Sequence, residues 1–180
     1  MAVLFSVGHG NRSATAFLAL LAGEGVKRLV DVRAVPRSKR HPHFGHGPLG
    51  VSLQSAAIAY DWRGSALGGL RRGADGARHP ALRQPALRAY AEHMESEAFV
   101  AAAQALAKDS ARERVCMMCA ERDPAQCHRS LIADWLLANG HRVVHLIEPG
   151  EAREHELHES ALAVGGAVRY ARGGPQRPLF

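Results

Sequence analysis

The segment from Cys119 to Ser130 carries the residue types best suited to chemistry in this chain. It places a thiol and a carboxylate, Cys119 and Glu121, ahead of a predicted helix whose first turns hold Cys127, His128 and Arg129. A helix N-terminus attracts anions through its free N–H groups and its dipole. The same field, with nearby cationic side chains, lowers the pKa of a cysteine and raises its thiolate population. Either cysteine is therefore a candidate nucleophile. The competing interpretation is that the cysteines are core residues and that His128 and Arg129 only cap the helix.

The same segment also contains metal-ligand types. Cys116-x2-Cys119 followed by Cys127-His128 supplies thiolate and imidazole groups. Residues three apart on an extended strand point to opposite faces, so Cys116 is expected in the core and not beside Cys119. A partial metal site formed by Cys119, Cys127 and either His9 or His128 remains an alternative. Because the chain has eleven histidines as well as these cysteines, binding of a metal or of haem is an alternative function.

A second candidate region is the basic loop from Arg37 to His46. Three basic side chains and three histidines surround one aromatic residue there, a composition that suits phosphate contacts. Charge runs are also common on merely solvated surfaces. The chain contains no Walker motif and no GxGxxG, and neither Cys119 nor Cys127 is followed six residues later by the arginine of a cysteine-phosphatase loop.

Composition limits the classes of protein that fit. A chain of 180 residues with 47% hydrophobic and 22% charged residues is long enough for one globular domain with its own core. The net charge of +6 favours anionic partners such as small phosphorylated molecules, nucleotides or nucleic acid. Three cysteines suit a reducing compartment, and no apolar run is long enough for a membrane span, so a cytoplasmic protein of bacterial type is expected.

Hydrophobic periodicity predicts alternating strands and helices. Predicted strands lie near Leu4–Val7, Arg28–Arg33 and Tyr60–Trp62, then at Val115–Ala120 and Arg142–Ile147. Predicted helices lie around Phe17–Leu21, at Pro48–Ala59, at Leu82–Ala107 with a break near Ser96, and from Asp123-Pro124 to Asn139-Gly140, with a glycine-rich loop at Gly64–Gly76. This order predicts a three-layer α/β/α fold of Rossmann-like or flavodoxin-like type, with a mostly parallel sheet of about five strands.

The predicted domain spans residues 1–148, followed by a C-terminal extension and tail at 149–180, where periodicity is lost. The tail ends in Gln176-Arg-Pro-Leu179-Phe180. This peptide resembles the Gln-x-x-Leu-Phe motif by which bacterial proteins dock on the DNA sliding clamp, which makes the clamp a candidate partner. An ordinary frayed tail is the alternative.

In open parallel sheets the ligand crevice lies outside the carboxyl ends of the strands. Several predicted strands are followed there by polar residues, which leads to the hypothesis of an enzyme acting on a phosphorylated or otherwise anionic, nucleotide-like substrate. The candidate catalytic residues are His9, Cys119, Glu121, Cys127 and His128. The candidate substrate-binding residues are Asn11, Arg12, Asp31, Arg33, Ser38 and Arg129. In this hypothesis Arg33 and Arg129 hold the anion, His9 or Glu121 moves protons and Cys119 or Cys127 attacks.

Four motifs occur in a distinctive order: Val7-Gly-His-Gly-Asn-Arg12, Val30-Asp-Val-Arg33 with Pro36-Arg-Ser38, Leu67-Gly-Gly69, and Cys119-Ala-Glu121 with Cys127-His-Arg-Ser130. Together they resemble the domain-of-unknown-function family 488 over roughly residues 3–148. The resemblance marks the candidate residues above, together with Pro36, as signature positions, and it implies no particular reaction or cofactor. Gly10 departs from the family pattern, in which a serine or threonine is more frequent.

Overall fold

A computed structural model describes residues 2–72 and 78–171. Its main sheet has six strands: β1 (Val3–Gly8), β2 (Arg28–Asp31), β3 (Ala59–Trp62), β4 (Val115–Cys119), β5 (Arg142–Glu148) and β6 (Glu151–Glu154). The spatial order is β3-β2-β4-β1-β5-β6. The first five strands are parallel and β6 runs antiparallel to β5. The predicted Rossmann-like α/β class is confirmed.

The fourth strand lies at the centre of the sheet, between β1 and β2. All five of its residues are buried, as expected for a strand covered on both faces. Its register pairs Gly8 with Cys119 and Asp31 with Met118. The carboxyl ends of β1, β2 and β4 therefore meet at one edge, which brings the residues that follow them together.

Helices cover both faces of this sheet: α1 (Ala14–Gly23), α2 (His46–Ser55), α3 (Gly64–Leu67), α4 (Pro85–His93), α5 (Glu97–Ser110) and α6 (Arg129–Ala138). Phe17 of α1 and Leu53 of α2 belong to a core that includes Cys116. On the opposite face, residues of α4, α5 and α6 form a second core that includes Cys119. The layers are thus helix, sheet and helix, and the two cysteines point to opposite faces, as the strand period predicts.

Some element boundaries differ from those predicted. The second helix begins at His46 and ends at Ser55, because Ala57 has a positive φ of 55° and turns the chain into β3. The predicted loop after Gly64 opens with the short helix α3. Asp123 caps a 3-10 turn, Pro124–Gln126, and α6 starts only at Arg129. The break near Ser96 is confirmed.

Regular structure continues beyond Glu148, in the segment where the sequence shows no hydrophobic periodicity. Strand β6 extends the main sheet, and β7 (Ala161–Val164) and β8 (Ala167–Tyr170) form a hairpin. Gly165 and Gly166 join the hairpin strands with φ values of 59° and 81°, which suit the twist of a tight hairpin turn. Strand β6 is exposed along its whole length, so no apolar pattern marks it in the sequence.

Residues 73–77 of the glycine-rich segment lie outside the described part of the chain. The same holds for the C-terminal residues 172–180, and with them Gln176, Leu179 and Phe180 of the clamp-like peptide. Among the helices of residues 2–72 and 78–171, none has the length and apolar character needed to cross a bilayer.

Candidate functional site

Cys119, Cys127 and His128 form one compact cluster, named here the thiol–imidazole cluster. Cys119 ends β4, and Cys127 and His128 precede α6. His128 Nδ1 lies 3.6 Å from the Cys127 sulfur and 3.8 Å from the Cys119 sulfur. One ligand atom from each residue lies within 4.8 Å of the other two, and all three residues are buried. The structure therefore brings Cys119, Cys127 and His128 together, and the imidazole beside the two sulfurs is that of His128 and not that of His9.

The backbone fixes the orientation of the His128 ring. Its Nε2 lies 3.0 Å from the carbonyl oxygen of Val32. Because a carbonyl can only accept, Nε2 is assigned as the donor, which leaves the lone pair of a neutral ring on Nδ1, facing both sulfurs. Gly69 packs against the ring so closely that a Cβ at this position would come within 2.4 Å of Nδ1. Tyr90 supports another side of the ring, at 4.9 Å between centroids.

The two thiols of the cluster differ in acidity. The pKa of Cys127 is lowered to about 7, mainly because it accepts a hydrogen bond from the Cys119 thiol, and the Arg129 charge and backbone N–H add to the effect against the opposing burial. The pKa of Cys119 is raised because it donates that hydrogen bond and is buried. The helix start and Arg129 thus contribute as the sequence suggests, but the neighbouring cysteine contributes more. Burial alone raises the pKa of Cys116, which packs on the other face of the sheet.

The thiol–imidazole cluster borders a cleft of ≈ 410 Å³ at the carboxyl edge of the sheet, called the edge cleft below. Charged side chains of Arg33, Arg37 and Glu121 line it, together with the amides of Gln84 and Gln126 and the apolar Leu70 and Leu87. Within residues 2–72 and 78–171, Arg37 forms no salt bridge, and its side chain is exposed. The edge cleft therefore has a polar rim, and the sulfur atoms of the thiol–imidazole cluster form part of one wall.

A second polar group joins His9, Asp31 and Arg33 on the other face of the sheet edge. Arg33 donates from Nε to Asp31 Oδ1 at 2.9 Å and from Nη2 to Oδ2 at 2.6 Å. Its Nη1 lies 3.4 Å from His9 Nε2. Tyr60 donates to the same carboxylate at 2.7 Å. Arg33 thus reaches the edge cleft with its charge already balanced by Asp31, which weakens its predicted role as the anion-binding group.

His9 is held neutral at physiological pH. Its ring stacks on Phe44 with 4.3 Å between centroids. Burial lowers its pKa to about 4, and the Arg33 charge adds to that effect although the hydrogen bond to the Gly10 carbonyl opposes it. A neutral imidazole accepts protons, so this environment is compatible with the proton-moving role predicted for His9, but His9 does not line the edge cleft.

Two arginines predicted to bind substrate are turned to backbone carbonyls. Arg129 is buried and donates to the carbonyl oxygens of Glu121 and Arg122, the latter at 2.8 Å. Arg12 is also buried and donates to the carbonyls of Gly8 and Ile147. Both side chains therefore stabilise the loops at the sheet edge. Asn11 is exposed, and the Ser38 hydroxyl accepts from the His41 N–H at 3.0 Å. Of the twelve signature positions, the edge cleft is lined by Arg33, Cys119, Glu121, Cys127 and His128.

Sequence reasoning missed the groups that orient the cluster. The Val32 carbonyl belongs to the backbone and carries no side-chain signal. Tyr90 sits in a helix whose apolar spacing marks it only as a core residue. Gly69 is part of the Leu67-Gly-Gly69 motif. Such glycines indicate that another group packs closely against the backbone, but the sequence does not indicate that this group is the His128 ring.

A third polar group lies away from the edge cleft and links α6 to the C-terminal strands. Asp134 accepts from His155 Nε2 at 2.9 Å, and His155 Nδ1 lies 2.9 Å from His145 Nε2. Tyr170 also donates to Asp134, at 2.7 Å. Burial lowers the pKa of His145 to about 3, with smaller effects from His155, Arg129 and Arg153. This network was not predicted because its members lie partly in the segment thought to be irregular.

The fold and the edge cleft define an α/β protein of Rossmann-like type with a thiol–imidazole cluster at the carboxyl edge of its sheet. Residues 13–136 match the family described as domain of unknown function DUF488, and the chain belongs to that family. Neither the curated proteins nor the solved structures yield a match to this chain.

Proposed function

We propose that this protein is an enzyme that acts on a small anionic molecule, phosphorylated or nucleotide-like, in the edge cleft. The observation that carries the proposal is the convergence of two sulfurs and an imidazole nitrogen within 4.8 Å of one another on the wall of a ≈ 410 Å³ cleft. Reactive groups gathered beside a concave polar site at a strand carboxyl edge are typical of α/β enzymes. A purely structural role would not need the cluster to border a cleft.

The charges at the rim support an anionic substrate. Arg37 is the exposed cation of the edge cleft, whereas Arg33 is paired with Asp31. Arg37 therefore replaces Arg33 and Arg129 as the residue proposed to bind the anion. Glu121 is exposed in the same cleft and is the carboxylate proposed to move protons at the reacting atoms.

The test is ligand binding to the intact protein, followed by turnover. A panel of nucleotides, sugar phosphates and inorganic phosphate would be screened by thermal shift, and compounds that bind would be titrated by calorimetry. A charge-assisted contact contributes about 1.5–3 kcal/mol, so Arg37→Glu should weaken binding by roughly tenfold or more. The matched control is Arg112→Glu, an exposed arginine ahead of β4 at the opposite edge of the sheet.

Compounds that bind the wild-type protein would be incubated with it and followed by phosphorus and proton NMR for product. Binding of a DNA duplex without binding of any small anion would contradict the proposal. So would an equal loss of ligand affinity in Arg37→Glu and Arg112→Glu. Turnover that disappears in Cys127→Ser but persists in Cys116→Ser would support it, because Cys127 borders the edge cleft and Cys116 does not.

A further inference from the structure

The thiol–imidazole cluster has the dimensions of a metal site. Bond lengths of about 2.3 Å to sulfur and about 2.0 Å to nitrogen in a tetrahedron place the sulfur and nitrogen atoms about 3.5 Å apart. The two observed sulfur–nitrogen distances are 3.6 Å and 3.8 Å. Both distances lie close to the sulfur–nitrogen edge of that tetrahedron.

The surroundings prepare His128 as a ligand. Metal-bound histidines usually donate their other ring N–H to a carbonyl or carboxylate, which fixes the ring and its tautomer. His128 Nε2 donates to the Val32 carbonyl at 3.0 Å, and Nδ1 faces the two sulfurs. Tyr90 and Gly69 hold the ring from its sides. This nitrogen is therefore oriented before any ligand arrives.

From these contacts we infer that Cys119, Cys127 and His128 bind one thiophilic divalent cation such as Zn²⁺. Two thiolates and one imidazole form a set of three protein ligands, and such sites keep a fourth position for water or substrate. The edge cleft lies next to the cluster and carries the Glu121 carboxylate. The inference rests on the proposed function for its purpose: the cation would polarise an oxygen of the anionic substrate or activate a water molecule for it.

Two other residues with metal-binding side chains, Cys116 and His9, are not part of this ligand set. Cys116 lies three residues before Cys119, but its side chain belongs to the core on the opposite face of the sheet. His9 belongs to the group with Asp31 and Arg33. Soft thiolate ligands favour zinc over magnesium or calcium, which prefer oxygen donors.

The experiment uses full-length protein without a histidine tag, purified under reducing conditions and stripped with a chelator. Zn²⁺ affinity would be measured by competition with a chromophoric chelator, and Co²⁺ would be added as a spectroscopic probe. One equivalent of zinc and a thiolate-to-cobalt charge-transfer band are expected. Removing a ligand in Cys119→Ser, Cys127→Ser or His128→Gln should weaken zinc binding by roughly 100-fold or more.

Cys116→Ser is the matched control and should keep wild-type zinc affinity, with circular dichroism used to verify that every variant folds. A wild-type protein that binds no zinc and shows no cobalt–thiolate band would overturn the inference, and so would a folded Cys116→Ser variant that loses zinc equally. These readouts need no substrate. Zinc binding without binding of any anionic ligand would leave the metal site standing and remove the proposed function, whereas ligand binding and turnover by a protein that binds no zinc would do the reverse.

Discussion

Asp31 and Arg33 form a bidentate ion pair between two residues only two positions apart, at the carboxyl end of β2. Both side chains are buried, Asp31 completely and Arg33 to all but 5%. The Arg33 guanidinium donates from Nε and Nη2 to the two carboxylate oxygens, and Nη2 also donates to the Phe44 carbonyl at 2.8 Å. The pair thereby joins β2 to the basic loop that leads to α2.

Removing one partner of this pair should be costly. Asp31→Ala leaves the Arg33 charge buried without its counter-charge, which typically lowers the free energy of unfolding by about 3–5 kcal/mol. Urea unfolding followed by circular dichroism would measure it. The comparison variant is Glu154→Ala, which breaks an exposed pair with Arg142 and should leave the urea midpoint unchanged. Equal destabilisation by the two variants would show that burial of the Asp31 pair is not what matters.

His145 should make stability fall as the pH drops below 6.5. Its folded pKa is lowered to about 3, so the folded protein keeps the ring neutral while the unfolded chain binds a proton below pH 6.5. The unfolded state gains protons over this window. The contribution of His145 therefore lowers the free energy of unfolding by about 2 kcal/mol between pH 7 and pH 5. The charges of His155, Arg129 and Arg153 lower the pKa of His145 further.

Urea unfolding at pH 7 and pH 5 would test this effect. His145→Gln keeps a hydrogen-bonding side chain but does not titrate, so its loss of stability across the window should be about 2 kcal/mol smaller than that of the wild type. Parallel pH profiles for the two proteins would refute the role assigned to His145. His9, whose pKa is also lowered, contributes a loss of the same sign in both proteins.

Gly69→Ala should damage the thiol–imidazole cluster. An added Cβ would lie 2.4 Å from His128 Nδ1 and 2.7 Å from Cγ of the ring, so the ring must shift from the position in which Nε2 donates to the Val32 carbonyl. Loss of this orientation should weaken zinc binding by about 10–100-fold, the range for changes next to a ligand. Gly47→Ala is the control, because no atom lies within 4 Å of a Cβ there and the helix should gain slightly in stability. Unchanged zinc affinity in folded Gly69→Ala would argue against a fixed His128.

Ser96→Ala should destabilise the start of α5. The Ser96 hydroxyl accepts from the Phe99 N–H at 3.3 Å, which satisfies one of the free N–H groups of the first turn. Loss of such a cap costs about 1 kcal/mol. Ser52→Ala provides the comparison, since that hydroxyl donates to a carbonyl within its own helix and should change stability by less than about 0.5 kcal/mol. Thermal unfolding of both variants would separate capping from simple loss of a hydroxyl.

The elements that the sequence predicts well are those with strong local signals. The apolar run of β4, the helix around Phe17–Leu21 and the helix break near Ser96 each depend on residues close together in the chain. Such signals do not show which strands lie beside β4, because the order β3-β2-β4-β1 depends on packing across the whole domain. Strand β6 was missed because its side chains are all exposed.

The candidate site divides in the same way. Placement of Cys119 at a strand end was predictable, and so was the opposite orientation of Cys116, whereas Cys127 was expected inside a helix that in fact starts only at Arg129. The partners of the arginines were not: Arg12 and Arg129 bind carbonyls, and Arg33 binds Asp31, because three-dimensional contacts decide which buried charges face protein and which face a cleft. An arginine in a sequence motif carries no information about that choice.

The central position of β4 has a consequence for how the protein is made. A nascent chain that has completed β1, β2 and β3 holds β2 paired with β3, but β1 has no partner strand among them. The facing edges of β1 and β2 stay open until residues 115–119 are synthesised and insert between them. Contacts between segments so distant in sequence form slowly, and open apolar strand edges are prone to association with other chains. During translation, more than half of the polypeptide must therefore wait for β4, and chaperone binding should concentrate in that interval.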